Sequence, residues 1–153
     1  MSEGIAEDMR AFSVQRIPLQ VTRGCVVASI QFDLDPEVLR QFRIDLLERV
    51  QKSRANGVIL DVSGIDILDL DDFNGLRSTM EMAEIMGARP ILSGLKPGVV
   101  SALIDLGADP EGVNAVLNLD DAFRLLDAIR EKSAKDSELL DDGQEPNSDP
   151  GQG

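Results

Sequence analysis

Short apolar runs alternate with stretches of helical periodicity along the chain, and this alternation limits the possible folds more than any other feature of the sequence. Two β-rich runs come first, from Ile17 to Thr22 and from Cys25 to Ile30. Arg23-Gly24 lies between them and is typical of a tight hairpin turn. Pro18 cannot donate a hydrogen bond to a neighbouring strand, so we expect the first strand at a sheet edge.

The rest of the chain alternates between helix and strand patterns. Asp35 and Pro36 predict the start of a first helix, as an N-cap followed by a proline in the first turn, and this helix ends near Ser53. We expect further strands over 58–62, 89–93 and 115–117, and further helices over 71–86, 97–107 and around 122–129. The order ββαβαβαβα favours an α/β fold: a mostly parallel mixed β-sheet with an antiparallel edge strand, and helices covering the sheet.

The composition excludes several classes of function. The chain has 15 Lys and Arg against 28 Asp and Glu, a net charge of -13, so we expect no nucleic acid and no membrane among its partners. It contains no His, which removes His-based acid and base catalysis and imidazole metal ligands. Cys25 is the only cysteine and lies in an apolar run, so we expect a buried strand residue. No cofactor and no metal are expected.

We divide the chain into three parts. Residues 1–15 are expected to be an N-terminal extension, residues 16–133 one folded domain, and residues 134–153 an acidic disordered tail. The tail is predicted because, from residue 136 onward, six acids and no base are interleaved with Gly, Pro, Asn, Ser and Gln. The chain shows neither a signal peptide nor a run of ~20 apolar residues, so we expect a cytoplasmic location.

The stretch from Ser63 to Asp72 is rich in aspartate and joins the central strand to the second helix. In open α/β sheets, ligand and partner sites concentrate at this carboxyl end of the strands. Capping alone accounts for two of the acids Asp69, Asp71 and Asp72, because acids are favoured at a helix start. The calcium-loop pattern fails, since Leu70 stands where the first acidic ligand is required. An alternative is a magnesium-dependent aspartyl phosphatase using Asp69 and Asp71, because a carboxylate can act as a phosphoryl nucleophile.

Several segments, taken with the element order, carry a resemblance to a known family. They are Ile17–Leu19, Val26–Gln31, Ala55–Asp61, Met86–Pro97 and Leu103–Gly107. The chain resembles the STAS domain, the family of anti-sigma factor antagonists and of the cytoplasmic domains of sulfate transporters, and the resemblance extends more loosely over the last strand and helix. Only about fifteen residues precede the first strand, so the chain looks like the stressosome scaffold subunits that lack a sensor domain.

The resemblance implies a protein that performs no chemistry and acts by association in bacterial stress signalling. The implied partners are paralogous stressosome subunits with sensor domains, a serine/threonine kinase of the anti-sigma type, and further copies of the chain. An apolar stripe of Thr79, Met82 and Met86 is expected to support self-association. We expect the partner surface at the strand ends and at the start of the second helix. Its candidate residues are Ser63, Asp66, Asp69, Leu70, Asp71, Asp72, Gly94 and Lys96.

Partner switching in this family depends on phosphorylation of a hydroxyl at the start of the second helix. The resemblance places that position at Leu70, which cannot be phosphorylated, so switching there is excluded. Ser93 matches a second phosphoacceptor of related subunits and is the candidate for a remaining control; a strand-end serine making a turn hydrogen bond is the alternative. Two hypotheses follow. The chain is a constitutive scaffold, or Asp71 and Asp72 supply a fixed negative charge that resembles the phosphorylated state.

Overall fold

The computed structural model of the chain describes residues 15–143. Residues 1–14 of the expected extension and residues 144–153 of the expected tail lie outside the described residues. The elements follow the order expected from the sequence. They are β1 (Leu19–Thr22), β2 (Cys25–Ser29), α1 (Pro36–Ser53), β3 (Gly57–Asp61), α2 (Leu70–Ile85), β4 (Arg89–Ser93), α3 (Pro97–Asp105), β5 (Ala115–Val116) and α4 (Leu119–Gly143).

The strands form one five-stranded mixed sheet in the order β1-β2-β3-β4-β5. β1 pairs antiparallel with β2, and the other neighbouring strands pair in parallel, which confirms the expected architecture. Arg23 and Gly24 have φ angles of 54° and 73°. Two successive positive φ angles are typical of the type I′ turn, whose twist matches that of a hairpin. The carboxyl ends of β2, β3 and β4 therefore meet at one end of the sheet.

The hydrophobic core lies between the sheet and the helices on one of its faces. Val26, Val58, Leu60 and Leu92 point into this core and are almost fully buried. The opposite face is also apolar at its centre, where Cys25, Ile59 and Ile91 have no exposed surface. The run over residues 58–62, apolar except for Asp61, is thus buried on both faces, as parallel strands usually are. The expected burial of Cys25 is confirmed.

The first two helices begin and pack as their sequences predict. The Asp35 carboxylate caps α1 by accepting a hydrogen bond from the backbone N–H of Val38 at 2.9 Å. α2 lies beside α1, and the Arg43 guanidinium donates to the Thr79 hydroxyl at 3.3 Å. Each helix buries one apolar stripe against the core. The stripe residues are Val38, Phe42, Leu46 and Val50 in α1, and Phe73, Leu76, Met80 and Ala83 in α2.

One residue of the stripe that was expected to support self-association, Thr79, does not lie at the surface. Thr79 is fully buried, and its hydroxyl is hydrogen-bonded there. The hydroxyl donates to the carbonyl of Gly75 at 2.9 Å and accepts the hydrogen bond from Arg43. Met82 and Met86 are exposed at the surface of α2, and Ile85 accompanies them at 85% exposure. The exposed apolar surface of α2 is therefore formed by Met82, Ile85 and Met86, without Thr79.

The last helix is longer than the sequence suggested. α4 continues to Gly143, although we expected a disordered tail to begin at residue 134. Residues 131–140 are all exposed. Glu, Lys, Ala and Leu dominate this part of the chain and have high helix propensity, which explains a helix that the acid content alone does not predict. Between residues 15 and 143, no helix is both long and apolar enough to cross a membrane.

Candidate functional site

The loop between β3 and α2 is anchored to the core at two points. Ile65 and Leu68 are buried, and the backbone N–H of Ile65 donates to the carbonyl of Val62 at 3.0 Å. Ile67, between the two anchors, is 81% exposed. The loop therefore presents Ile67 to solvent on a well-defined backbone.

A second loop, which follows β4, packs directly against the first. Gly94 has a φ of +80°, and a Cβ atom built there would lie 2.7 Å from the Cβ of Ser63. Glycine is required at this position by both the backbone angle and the close approach. Lys96 forms a salt bridge with Asp66, and the hydrogen bond and charge of Lys96 lower the pKa of the Asp66 carboxyl. The expected residues Ser63, Asp66, Gly94 and Lys96 are thus brought together.

The remaining expected residues form the start of α2. The Asp69 carboxylate is the N-cap, accepting a hydrogen bond from the backbone N–H of Asp72 at 2.7 Å. Leu70 is the first residue of the helix and is half-buried, whereas Asp71 is exposed. Burial, followed by the charge of Asp69 and a hydrogen bond with it, raises the pKa of Asp72 to about 6. Capping explains why an aspartate stands at residue 69. The charged form of Asp72, in contrast, is energetically unfavourable.

Ser93 lies at the same end of the sheet but is not accessible. It is the last residue of β4, pairs in register with Asp61 of β3, and has no exposed surface. Its hydroxyl oxygen has no hydrogen-bond partner among the described residues, so it does not make the turn hydrogen bond of the alternative interpretation. A kinase needs an exposed acceptor. Ser93 therefore remains a candidate only for a conformation in which this strand end opens.

A shallow cavity beside these loops contains residues that the sequence analysis missed. It has a volume of about 310 Å³ and is lined by Asp61, Ser63, Gly94 and the segment from Leu117 to Asp120. Asn118 caps α4, because its side-chain oxygen accepts from the backbone N–H of Asp121 at 2.9 Å. This N-cap pattern could have been found in the sequence. The position of Asp61 in the cavity wall could not have been found in this way, because it depends on the pairing of three strands.

The aspartates of this site do not converge on one point. Within residues 15–143, no group of three or more Cys, Asp or Glu side chains is arranged to hold a metal ion. One oxygen of Asp69 is already engaged by the helix that it caps. The aspartyl-phosphatase alternative, which requires Asp69 and Asp71 to act together on one phosphate, therefore gains no support from the geometry.

Comparison with known proteins adds to this description. No protein-family model matches the chain. Among curated proteins it is similar to the RsbT co-antagonist protein RsbRA of Bacillus subtilis (strain 168), with 25% identity over 108 residues that cover 65% of this chain and 39% of RsbRA. The chain thus spans less than half the length of the curated relatives it matches.

The similarity covers nearly the whole length of two solved chains. RsbS of Moorella thermoacetica, carrying a serine-to-glutamate substitution, has a TM-score of 0.67 and 26% identity, and the match covers 76% of this chain and 99% of that one. A chain of the stressosome, described as a signal integration and transduction hub, has a TM-score of 0.66 and 26% identity, with 74% and 98% covered. The resemblance to the STAS family is confirmed: the chain carries a STAS domain similar to RsbS.

Proposed function

We propose that this chain is a non-catalytic scaffold of the RsbS type, which acts by binding other proteins in bacterial stress signalling. The likeness to RsbS and to a stressosome chain supports this, as do the curated relatives, whose names describe them as co-antagonists of RsbT. The partners we propose are paralogous STAS subunits with sensor domains, further copies of this chain, and a serine/threonine kinase of the anti-sigma type.

The observation that carries the proposal is Leu70 at the first position of α2. The family resemblance assigns this position to a phosphorylated hydroxyl, and here it holds an aliphatic side chain beside an intact N-cap. A phosphate would add a charge of about -1.5 to -2 at this point, and leucine cannot accept it. We therefore propose constitutive binding at this surface rather than release by phosphorylation at residue 70.

The surface itself suggests how a partner is held. Ile67 is almost fully exposed, and the carboxylates of Asp69 and Asp71 lie exposed on the same loop and helix start. Binding energy in protein interfaces concentrates in a few buried apolar or aromatic anchors surrounded by polar groups. We propose that Ile67 is such an anchor and that basic groups of the partner pair with the surrounding aspartates.

A charge placed at the anchor tests this arrangement. Ile67→Asp is expected to weaken binding to a purified serine/threonine kinase of the anti-sigma type about tenfold or more, measured by calorimetry, because a charged side chain would be buried at the interface. Ile44→Asp is the matched control, since Ile44 is 50% exposed on α1 and far along the chain from the loop. Equal affinities for both variants and the native chain, with unchanged circular dichroism, would contradict the proposed surface.

A further inference from the structure

The outer side of β1 offers unpaired backbone groups. The backbone N–H of Ser29 donates to the carbonyl of Pro18 at 3.2 Å, which makes Pro18 and Ser29 a hydrogen-bonded pair of the antiparallel ladder. Hydrogen-bonded and non-hydrogen-bonded pairs alternate along an antiparallel ladder. Leu19 and Val21 belong to non-hydrogen-bonded pairs, so their backbone N–H and C=O groups point away from β2. β1 is the first strand of the sheet order, and among the described strands none pairs with its outer side.

A groove runs along this edge, between β1 and the second half of α1. It has a volume of about 310 Å³, and its floor is formed by Ile17 and Leu19. Charged side chains of α1 form the other wall. Arg16 pairs with Asp45 at 3.8 Å, and Lys52 pairs with Glu48 at 2.5 Å, so both acids of the groove are matched. Arg49 also lines the groove and forms no ion pair with any described residue.

Two more arginines, Arg23 after β1 and Arg54 after α1, occupy unfavourable backbone conformations. Arg23 and Arg54 have φ angles of 54° and 52°, and they are the non-glycine residues with positive φ between residues 15 and 143. They are close together, because the backbone N–H of Asn56 donates to the carbonyl of Gly24 at 3.1 Å. Glycine or asparagine suits such positions better. Strained residues of this kind are often kept for binding.

We propose that this basic edge, defined as β1 together with Arg23, Arg49 and Arg54, binds an extended acidic segment of a partner protein. The segment adds a strand alongside β1, with its backbone hydrogen-bonded to Leu19 and Val21. Alternate side chains of the segment enter the groove over Ile17 and Leu19, and its carboxylates pair with the arginines. Charge complementarity selects an acidic partner, because the arginines form a local positive surface on a chain with a net charge of -13. This surface is separate from the loop surface proposed above.

The first experiment uses two labelled peptides with the full chain. One alternates Val and Glu, and the other alternates Val and Lys. Fluorescence anisotropy is expected to show binding of the acidic peptide alone, weakened about tenfold between 50 and 500 mM salt. Hydrogen exchange is expected to show that the amides of Leu19 and Val21 exchange freely and become protected by the acidic peptide. Protection of both amides without any peptide would overturn the proposal, because the edge would then be occupied by the chain itself.

Two variants separate the backbone contribution from the charges. Val21→Pro removes an outward N–H and leaves the hydrogen bonds between β1 and β2 in place, so it is expected to weaken acidic-peptide binding about fivefold while the circular dichroism is retained. Arg49→Glu combined with Arg54→Glu is expected to weaken it about tenfold. Arg40→Glu, nine residues earlier on α1 and also exposed, is the control and leaves affinity unchanged. Equal binding by the native chain, the double variant and Val21→Pro would overturn the proposal.

Discussion

The two charged regions of this STAS domain use their charges in opposite ways. At the carboxyl end of the sheet, Asp66 is paired with Lys96 and Asp69 caps α2, so two of the acids also stabilise the fold. At the basic edge, Arg49 has no ion pair among the described residues, and Arg54 occupies a strained backbone position. Charges that stabilise the fold need no partner to explain them. A charged side chain that has no ion pair in the fold, or that stands on a strained backbone, is better evidence of binding.

The two regions also differ in packing. Around Gly94 the loops after β3 and β4 approach so closely that no side chain fits between them. Along β1 the backbone is open on one side, and a groove lies next to it. A tightly packed region holds a docking surface in one shape, whereas an open strand edge accepts a new strand without rearrangement. Substitutions in the two regions test this contrast.

The largest effect is expected from Gly94→Ala. The methyl group would meet the Cβ of Ser63 at 2.7 Å, and alanine is strained at a φ of +80°. We expect a loss of about 3 kcal/mol in the free energy of unfolding, measured by urea denaturation. Gly87→Ala is the control, because Gly87 has a φ of +94° but no atom within 4 Å of the added methyl group. Its loss is expected to be about 1 kcal/mol, from backbone strain alone. Equal losses would show that the two loops are not tightly packed.

A smaller effect is expected from Asp72→Asn. The pKa of Asp72 is raised from 3.8 to about 6, so between about pH 4 and pH 6 the folded state holds a proton that the unfolded state has released. The native chain therefore loses stability as the pH rises through this window. Because asparagine stays neutral, the variant is expected to be more stable above pH 6 by about 1 kcal/mol, reduced from the full shift by solvent screening.

The pH series contains its own control. Below pH 4 the carboxyl is protonated in both states, so the advantage of Asp72→Asn is expected to disappear. An advantage that stays constant from pH 3.5 to pH 7.5 would mean that the charge of Asp72, which burial and the neighbouring Asp69 disfavour, is not its cause. The hypothesis of a fixed negative charge is tested in the same variant: if Asp72 substitutes for a phosphate, Asp72→Asn changes partner affinity at pH 7.

The third stability effect is the smallest and, like that of Asp72→Asn, is a gain; it is expected at the basic edge. Arg54→Gly relieves the strain of a positive φ at the end of α1, so the free energy of unfolding is expected to rise by about 0.5 kcal/mol. The same variant is expected to bind the acidic peptide several-fold more weakly. A variant that gains both stability and affinity would show that Arg54 has no binding role.

The local features of the fold could be predicted from the sequence because local residues determine them. Arg23-Gly24 indicated the hairpin turn, and Asp35 with Pro36 indicated the start of α1. The family resemblance and the element order placed the candidate residues at one end of the sheet, and the structure brings Ser63 beside Gly94 and Asp66 beside Lys96 there. Each of these predictions depends on residues that are neighbours in the sequence, or on a strand order that the β-α alternation nearly determines.

What escaped prediction depends on contacts between distant segments. Thr79 was predicted to lie on an exposed stripe, but its hydroxyl accepts a hydrogen bond from Arg43 of α1, which is 36 residues away in the sequence. Ser93 was a candidate for modification, and its burial depends on the neighbours that its strand acquires in the fold. The close approach of Gly94 to Ser63 and the cavity lined by Asp61 have the same origin. Helical periodicity and strand patterns contain no information on such approaches.

The most direct test of the account restores a hydroxyl at residue 70. Leu70→Ser, incubated with a serine/threonine kinase of the anti-sigma type and ATP, is expected to gain one phosphate by intact-mass spectrometry and then to release its partner. The native chain is expected to remain unmodified and bound. Ile67→Ser, which places a serine three residues earlier in the loop, is expected to remain unmodified. A native chain that is itself phosphorylated and released would contradict the claim that this surface binds its partner without a switch. Leu70→Ser that gains no phosphate would contradict the assignment of residue 70 to the phosphoacceptor position.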